Sequence, residues 1–345
     1  MTIQDFLQKQ SLPYEAKVIH AELRAREFYT EITRPDGYNA NCHVSVGGLD
    51  SITLYLFLQS IGINVPAISV SSLEDKSIQR VHKALGVEVL RPLMCKKRII
   101  KKCGFPVISK AKAGKIEAIQ NPTKKNATVR HAIMTGDCGE QGGYRKGTRM
   151  RLPEKWLRLF CGHENERYNT SYKIAPFKVS SKCCYYLKEK PCEDWAKEHN
   201  SHPFLGLMAS EGGQRENALI SNGCNYYGKT VIRSCPFAIF TRQDILRLAV
   251  DLRVPIPEIY GEIKQKPDGT LYTTRAQRTG CSMCGFGIHI EKRPHRFDRL
   301  RDDSPKEWHY WMYDIGWGEV LDWIGVEWEG PPGAMPGQLS LDEAI

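Results

Sequence analysis

The chain has 345 residues, 41% hydrophobic and 26% charged, with a formal net charge of +10. That length allows one large α/β core with insertions, or two domains. No apolar run is long enough to span a bilayer, and the opening MTIQDFLQKQ lacks the basic flank and apolar core of a signal peptide. A cytoplasmic setting with no membrane partner is therefore expected. In that setting the twelve cysteines are expected to be metal ligands, redox groups or core residues, not a disulfide framework.

In chain order, YEAKVIHAELRAREFYTEI (14–32) carries apolar groups at helical spacing and reads as a helix packed on a core. Residues 41–62, NCHVSVGGLDSITLYLFLQSIG, read as a buried strand from Cys42 to Val46, a tight turn from Gly47 to Asp50, and an amphipathic helix opened by Ser51 and closed by Gly62. VPAISVS (65–71) reads as a second strand, EDKSIQRVHKALG (74–86) as a helix, and VEVLRP (87–92) as a third strand. Strands alternating with helices at this spacing imply a parallel sheet of right-handed βαβ units.

From about 93 to 160 the pattern weakens. Between Lys96 and Arg158 there are seventeen Lys or Arg against four acidic residues, a net +13. Such a block suits a polyanionic partner, nucleic acid or nucleotide, and equally describes a solvated insertion. It includes the loop-like GDCGEQGGYRKG and reads as an insertion with a lid or binding role, without a core of its own. Regularity returns with a helix near Tyr185–His199, a strand at FLGLMA (204–209), a helix at GQRENALISNG (213–223) and a strand over Thr230–Phe237. Thr241 caps the next helix, with Asp244 completing a capping box. Residues 257–290 read as irregular loop and 305–323 as helix.

The expected divisions are 1–92, the first helix and glycine-loop half of the α/β domain; 93–160, the basic insertion; 161–256, the second half with a Cys-Cys pair; 257–330, a CxxC loop with C-terminal helices; and 331–345, a loosely held tail.

Three motifs carry chemistry. In VGGLDS (46–51), glycines let backbone approach a phosphate at a helix N-terminus. Asp50 there orients a metal ion such as Mg2+ or the loop, Ser51 donates to a phosphate, and the bland alternative is a helix cap. Second come Cys183-Cys184 and Cys281-x-x-Cys284. Two close pairs far apart read as one metal site from two loops: four thiolates suit a 4Fe-4S cluster, with structural zinc or no metal as alternatives. In ASEGGQREN (209–217), Glu211 and Arg215 follow a strand end. Arg215 is suited to phosphate or sulfate oxygens, or forms a surface pair with Glu211.

Taken together, the glycine loop with Asp-Ser, then SKCC, then A-x-E-x-x-x-R, SCPFAIFTRQDIL, IYGEI and RTGCSMCGFGIHIEKRPHRFDRL resemble the phosphoadenosine phosphosulfate (PAPS) reductase family. That family lies within the PP-loop, adenine-nucleotide α-hydrolase-like superfamily. The match runs from about residue 14 to 326, and is nearest to a stand-alone bacterial and phage subgroup. The resemblance implies a doubly wound, Rossmann-like parallel sheet binding an adenine nucleotide (ATP, or PAPS or adenosine phosphosulfate, APS). The implied nucleotide-binding residues are Ser45, Gly47, Gly48, Asp50, Ser51, Glu211 and Arg215, of which Asp50, Ser51 and Arg215 serve catalysis. It also implies a 4Fe-4S cluster on Cys183, Cys184, Cys281 and Cys284, in an Fe-S-binding C-terminal part.

Two departures stand out. The family loop reads Ser-Gly-Gly-x-Asp-Ser, whereas Val46 stands here at the first position and Ser45 comes one earlier. The family's reductases attack sulfur with a cysteine near the chain end, and no cysteine follows Cys284. The expected function is therefore adenine-nucleotide-dependent sulfur transfer, ATP-driven, with nucleic acid engaged through 96–158 and a thiol or sulfur-donor protein as partner. The alternatives are a PAPS/APS reductase releasing sulfite, and a cluster-bearing, nucleic-acid-binding regulator without catalysis.

Overall fold

The computed structural model describes residues 3–139, 150–162, 164–165, 170–171 and 174–330. The expected tail at 331–345 and much of the GDCGEQGGYRKG loop lie outside the described residues. The chain forms two compact units, residues 1–93 with 187–281 and residues 94–186 with 282–345.

The first unit is built on a six-stranded sheet. Its strands are β1 (Asn41–Ser45), β2 (Ala67–Ser69), β3 (Glu88–Val89), β4 (Ser201–Phe204), β5 (Asn225–Tyr227) and β6 (Ile232–Ser234), in the order β3-β2-β1-β4-β6-β5. All neighbours are parallel except the β5–β6 pair. After β3 the chain returns to the other side of β1, so the sheet is doubly wound and its switch point lies between β1 and β4. In such sheets the crevice beyond the carboxyl ends of the two switch-point strands is the ligand site. Here that crevice is formed by Val46–Asp50 after β1 and Leu205–Gly206 after β4.

The helix after β1 runs Leu49–Ser60 and starts two residues before Ser51. Gly48 takes the N-cap position in extended conformation, so Leu49 and Asp50 join the first turn. Nor is the helix amphipathic. Leu49, Ile52, Thr53, Leu54, Tyr55, Phe57 and Leu58 are all buried, as befits a helix sunk in the core. The helix Tyr14–Thr33 packs where its periodicity predicts, and its buried Lys17 meets Asp244 at 2.8 Å. Asp244 also closes the expected capping box with Thr241 on the helix Arg242–Asp251. The strand expected over 204–209 instead ends at Phe204. Gly206 comes so close to the Asp50–Ser51 backbone that an added Cβ would lie 3.0 Å from the Asp50 carbonyl oxygen, so the chain has left the sheet there.

The second unit corrects the picture of a coreless basic insertion. Ile100, Phe105, Val107, Ile108, Ile116, Ile133, Trp156 and Phe160 are buried together with Phe297, Trp317, Val320 and Leu321. Val107–Ile108 pairs in parallel with Gly285–Phe286, and the Trp317 ring meets Phe105 edge-on at 5.1 Å. The helices Lys96–Cys103 and Lys110–Gln120 bury a narrow apolar stripe while lysines occupy the rest of their surface. That density of charge hides the stripe when composition is averaged. The 257–290 stretch is also more regular than expected: Ile263–Gln265 pairs antiparallel with Leu271–Thr273, turning at Asp268-Gly269. An Asp-Gly dipeptide between short apolar runs is itself a hairpin signal.

Candidate functional site

The switch-point loop of the first unit is held by its own hydrogen bonds. The Gly47 amide donates to Ser51 Oγ at 2.7 Å, and that hydroxyl donates to the Gly48 carbonyl at 2.9 Å. The Gly47 carbonyl accepts from His82 Nε2 at 2.8 Å, while His82 Nδ1 meets Ser71 Oγ at 2.8 Å. Because a carbonyl only accepts, Nε2 carries the proton and Nδ1 of the neutral ring accepts from Ser71. Burial pushes the His82 pKa down, partly opposed by the bond to Gly47. Ser51 thus staples the turn, and its proton is committed to Gly48.

Above Gly48 stand two hydroxyls. The Leu49 amide donates to Tyr260 Oη at 3.1 Å, and Tyr260 Oη lies 2.7 Å from Thr279 Oγ1. Tyr260 is 3% exposed. A Cβ on Gly48 would fall 2.4 Å from the Tyr260 oxygen and 3.0 Å from Thr279 Oγ1. Gly48 has a negative φ, so this position requires glycine for space and not for backbone conformation.

Asp50 pairs with Arg242 Nη1, and Arg242 Nη2 donates to the Gln277 carbonyl at 3.1 Å. Burial raises the Asp50 pKa; Arg242 acts against that shift, as do Arg278 and Arg215, while Glu211 adds to it. Arg215 meets Glu211 at 2.6 Å, and Arg278 lies 3.8 Å from the same carboxylate. The expected Asp50, Glu211 and Arg215 are therefore electrostatic neighbours. Three guanidiniums face two carboxylates, a balance that favours a phosphate chain. Ser45 is half-buried at the end of β1, and Val46 is 5% exposed in the core with its amide bound to the Ile68 carbonyl. Val46 extends the β1 ladder by one hydrogen bond and carries no hydroxyl.

Nearby, Glu74 pairs with Lys188. Burial works against the Lys188 charge, but Cys281 and Glu74 outweigh it and raise its pKa. Sequence reasoning missed Arg242, Tyr260, Thr279, Arg278, His82 and the Glu74–Lys188 pair. The IYGEI and RTGC segments held three of them, Tyr260, Arg278 and Thr279, with no local pattern to assign any of the three a role.

Comparison with known proteins adds little to this geometry. No family model matches the chain, and no curated protein matches it. Among solved structures it is similar to the U34-tRNA thiolase NcsA of Methanococcus maripaludis, solved with its [4Fe-4S] cluster. The identity is 12% and the TM-score 0.32, over 94% of this chain and 85% of that one. The fold assignment rests on the strand order and the switch point.

The four expected thiolates divide between the units: Cys281 belongs to the first, and Cys183, Cys184 and Cys284 to the second. Cys183 is buried and the other three are half-buried. Among the described residues no group of three or more His, Cys, Asp or Glu is gathered to hold a metal ion. No described helix is long and apolar enough to cross a membrane.

Proposed function

We propose that the chain is an adenine-nucleotide-dependent sulfur-transfer enzyme of the PP-loop type, acting on nucleic acid. The observation that carries this reading is the glycine turn at the switch point of a doubly wound sheet, ringed by Arg242, Arg215 and Arg278. In this reading an acceptor oxygen attacks the α-phosphorus of ATP. The oxygen–phosphorus bond forms as the bond to pyrophosphate breaks, and a sulfide equivalent then displaces AMP from the acceptor. The loop backbone and the three arginines hold the phosphates and stabilise the charge that builds on the leaving pyrophosphate. Asp50, kept beside Arg242, orients that guanidinium.

The net +13 of residues 96–158 supports a nucleic-acid acceptor, since Lys and Arg contacts to phosphates supply affinity independent of sequence. A 4Fe-4S cluster on Cys183, Cys184, Cys281 and Cys284, a thiol or sulfur-donor partner, and Mg2+ belong to this reading as proposals resting on the sequence pairs and the resemblance.

The test is anaerobic purification with iron and sulfide analysis, then incubation with ATP and single-stranded nucleic acid. Conversion of ATP to AMP that depends on nucleic acid supports the reading. Sulfite release from PAPS or APS replaces it with reductase chemistry. One observation favours a second, non-catalytic reading: the Gly47 and Leu49 amides are already taken by Ser51 and Tyr260. Absence of any nucleotide binding would favour that regulator.

A further inference from the structure

Within the second unit, apart from the nucleotide loop, lies a groove of about 530 Å³. Its floor is one stripe of the helix Lys110–Gln120, where Gly114 and Glu117 sit three residues apart. Gly114 leaves the floor open: an added Cβ would already touch Ser181 Oγ at 3.4 Å. The walls carry Lys102, Lys178, Lys182 and the ring of Tyr186.

Glu117 offsets one charge of this positive lining and leaves the other two. Its carboxylate accepts from Lys182 Nζ at 2.8 Å, Ser180 Oγ at 2.9 Å and the Ser181 amide at 3.3 Å. Those three donors fix and neutralise the carboxylate, and it in turn anchors Lys182 at the groove. Lys102 and Lys178 are exposed at the wall. Three ammoniums thus face one carboxylate that is already satisfied. The volume suits a single nucleotide unit and not a double helix, whose grooves must themselves admit a protein element. A half-buried tyrosine beside clustered lysines is the pairing that single strands use, with phosphates on the amines and a base against the ring.

We infer that this groove binds one phosphodiester unit of a single-stranded nucleic acid, with Lys102, Lys178 and Lys182 on the phosphate and a base against Tyr186. The inference rests on the nucleic-acid reading above and adds where on the second unit the strand is held.

The test uses the full chain, fluorescently labelled single-stranded RNA and DNA, and anisotropy titrations over a range of salt. Lys102→Ala with Lys178→Ala is expected to weaken binding about tenfold or more and to flatten the log–log salt dependence by about 0.7 per lost contact. Gly114→Leu fills the floor without changing charge and is expected to weaken binding several-fold, with thermal melts checking that the unit stays folded. Lys124→Ala with Lys125→Ala removes two exposed lysines of the same basic segment outside the groove, and is expected to change affinity less than twofold.

Groove variants no weaker than this control, or binding of duplex alone, overturn the groove and leave nucleic-acid binding standing. No binding to any nucleic acid overturns both.

Discussion

The phenol oxygen of Tyr260 accepts the amide hydrogen of Leu49 at 3.1 Å, at the first turn of the helix that follows the glycine loop. An amide can only donate, so the Tyr260 oxygen is an acceptor there, and the same oxygen shares a hydrogen bond with Thr279 Oγ1, 2.7 Å away, in which either hydroxyl can donate. A buried backbone donor is thus linked through the Tyr260 phenol to the half-buried hydroxyl of Thr279.

This arrangement predicts an unusual rescue. Gly48→Ala places a methyl 2.4 Å from the Tyr260 oxygen but 3.7 Å from the ring carbon bearing it. The single substitution should cost about 1–3 kcal/mol, the range for overpacking, and should weaken ATP binding. Adding Tyr260→Phe removes the clashing atom and should recover part of that stability, although Tyr260→Phe alone is destabilising. Thermal melts of the four proteins form a double-mutant cycle, and simple additivity would refute the contact.

The Asp50–Arg242 pair sets a pH signature. Burial raises the Asp50 pKa, so between its ordinary value and that raised value the native state keeps a proton the unfolded chain has released. Stability contributed by Asp50 therefore falls as pH rises through that window. Arg242→Ala removes the charge that opposes the burial. It should lift the Asp50 pKa further, widen the window and cost about 1–3 kcal/mol for the lost charged hydrogen bond. Denaturant melts across the acid range would show the steeper decline.

His82 acts with the opposite sign. Its native pKa is lowered by burial from the ordinary 6.5, so its contribution is complete above that value and is lost as pH falls below it. Its bond to the Gly47 carbonyl links this loss to the glycine loop. His82→Gln should flatten the acid limb of the stability profile and weaken ATP binding. An unchanged limb would dissociate His82 from both.

Thiol chemistry separates the cysteines. Burial pushes the Cys42 and Cys224 thiols up to about 12 and Cys235 up to about 11. These three should resist alkylation in mildly alkaline buffer while exposed Cys95 reacts first, as peptide mass spectrometry would read. Early modification of Cys42 would mean that the β1 core opens.

Local signals carried much of the first unit. The helical period of 14–32, the Thr241–Asp244 capping box and the glycines at 62 and 86 each encode their element within a few residues, so sequence reveals them. The Asp268-Gly269 turn carries an equally local signal, but residues 257–290 read as irregular loop and the hairpin was missed. Pairing across distance was not legible. Tyr260 lies 211 residues from the Leu49 amide it caps, and Arg242 lies 192 from Asp50. No periodicity links such partners. The second unit was masked for another reason: its helices hide a narrow apolar stripe under many lysines, and averaged charge reads as a surface.

By itself, then, the sequence determined the alternation of strands and helices, the glycine turn before a helix, and the concentration of positive charge, because backbone propensity, side-chain period and charge are local properties. Only the tertiary structure decided that β4 lies beside β1, which makes the turn a switch point. It also decided that Tyr260 and Thr279 stand over Gly48, and that Phe105, Val107 and Trp156 share a core with Phe297, Trp317 and Leu321. Those outcomes depend on which distant surfaces bury one another, and that selection is made by packing in three dimensions.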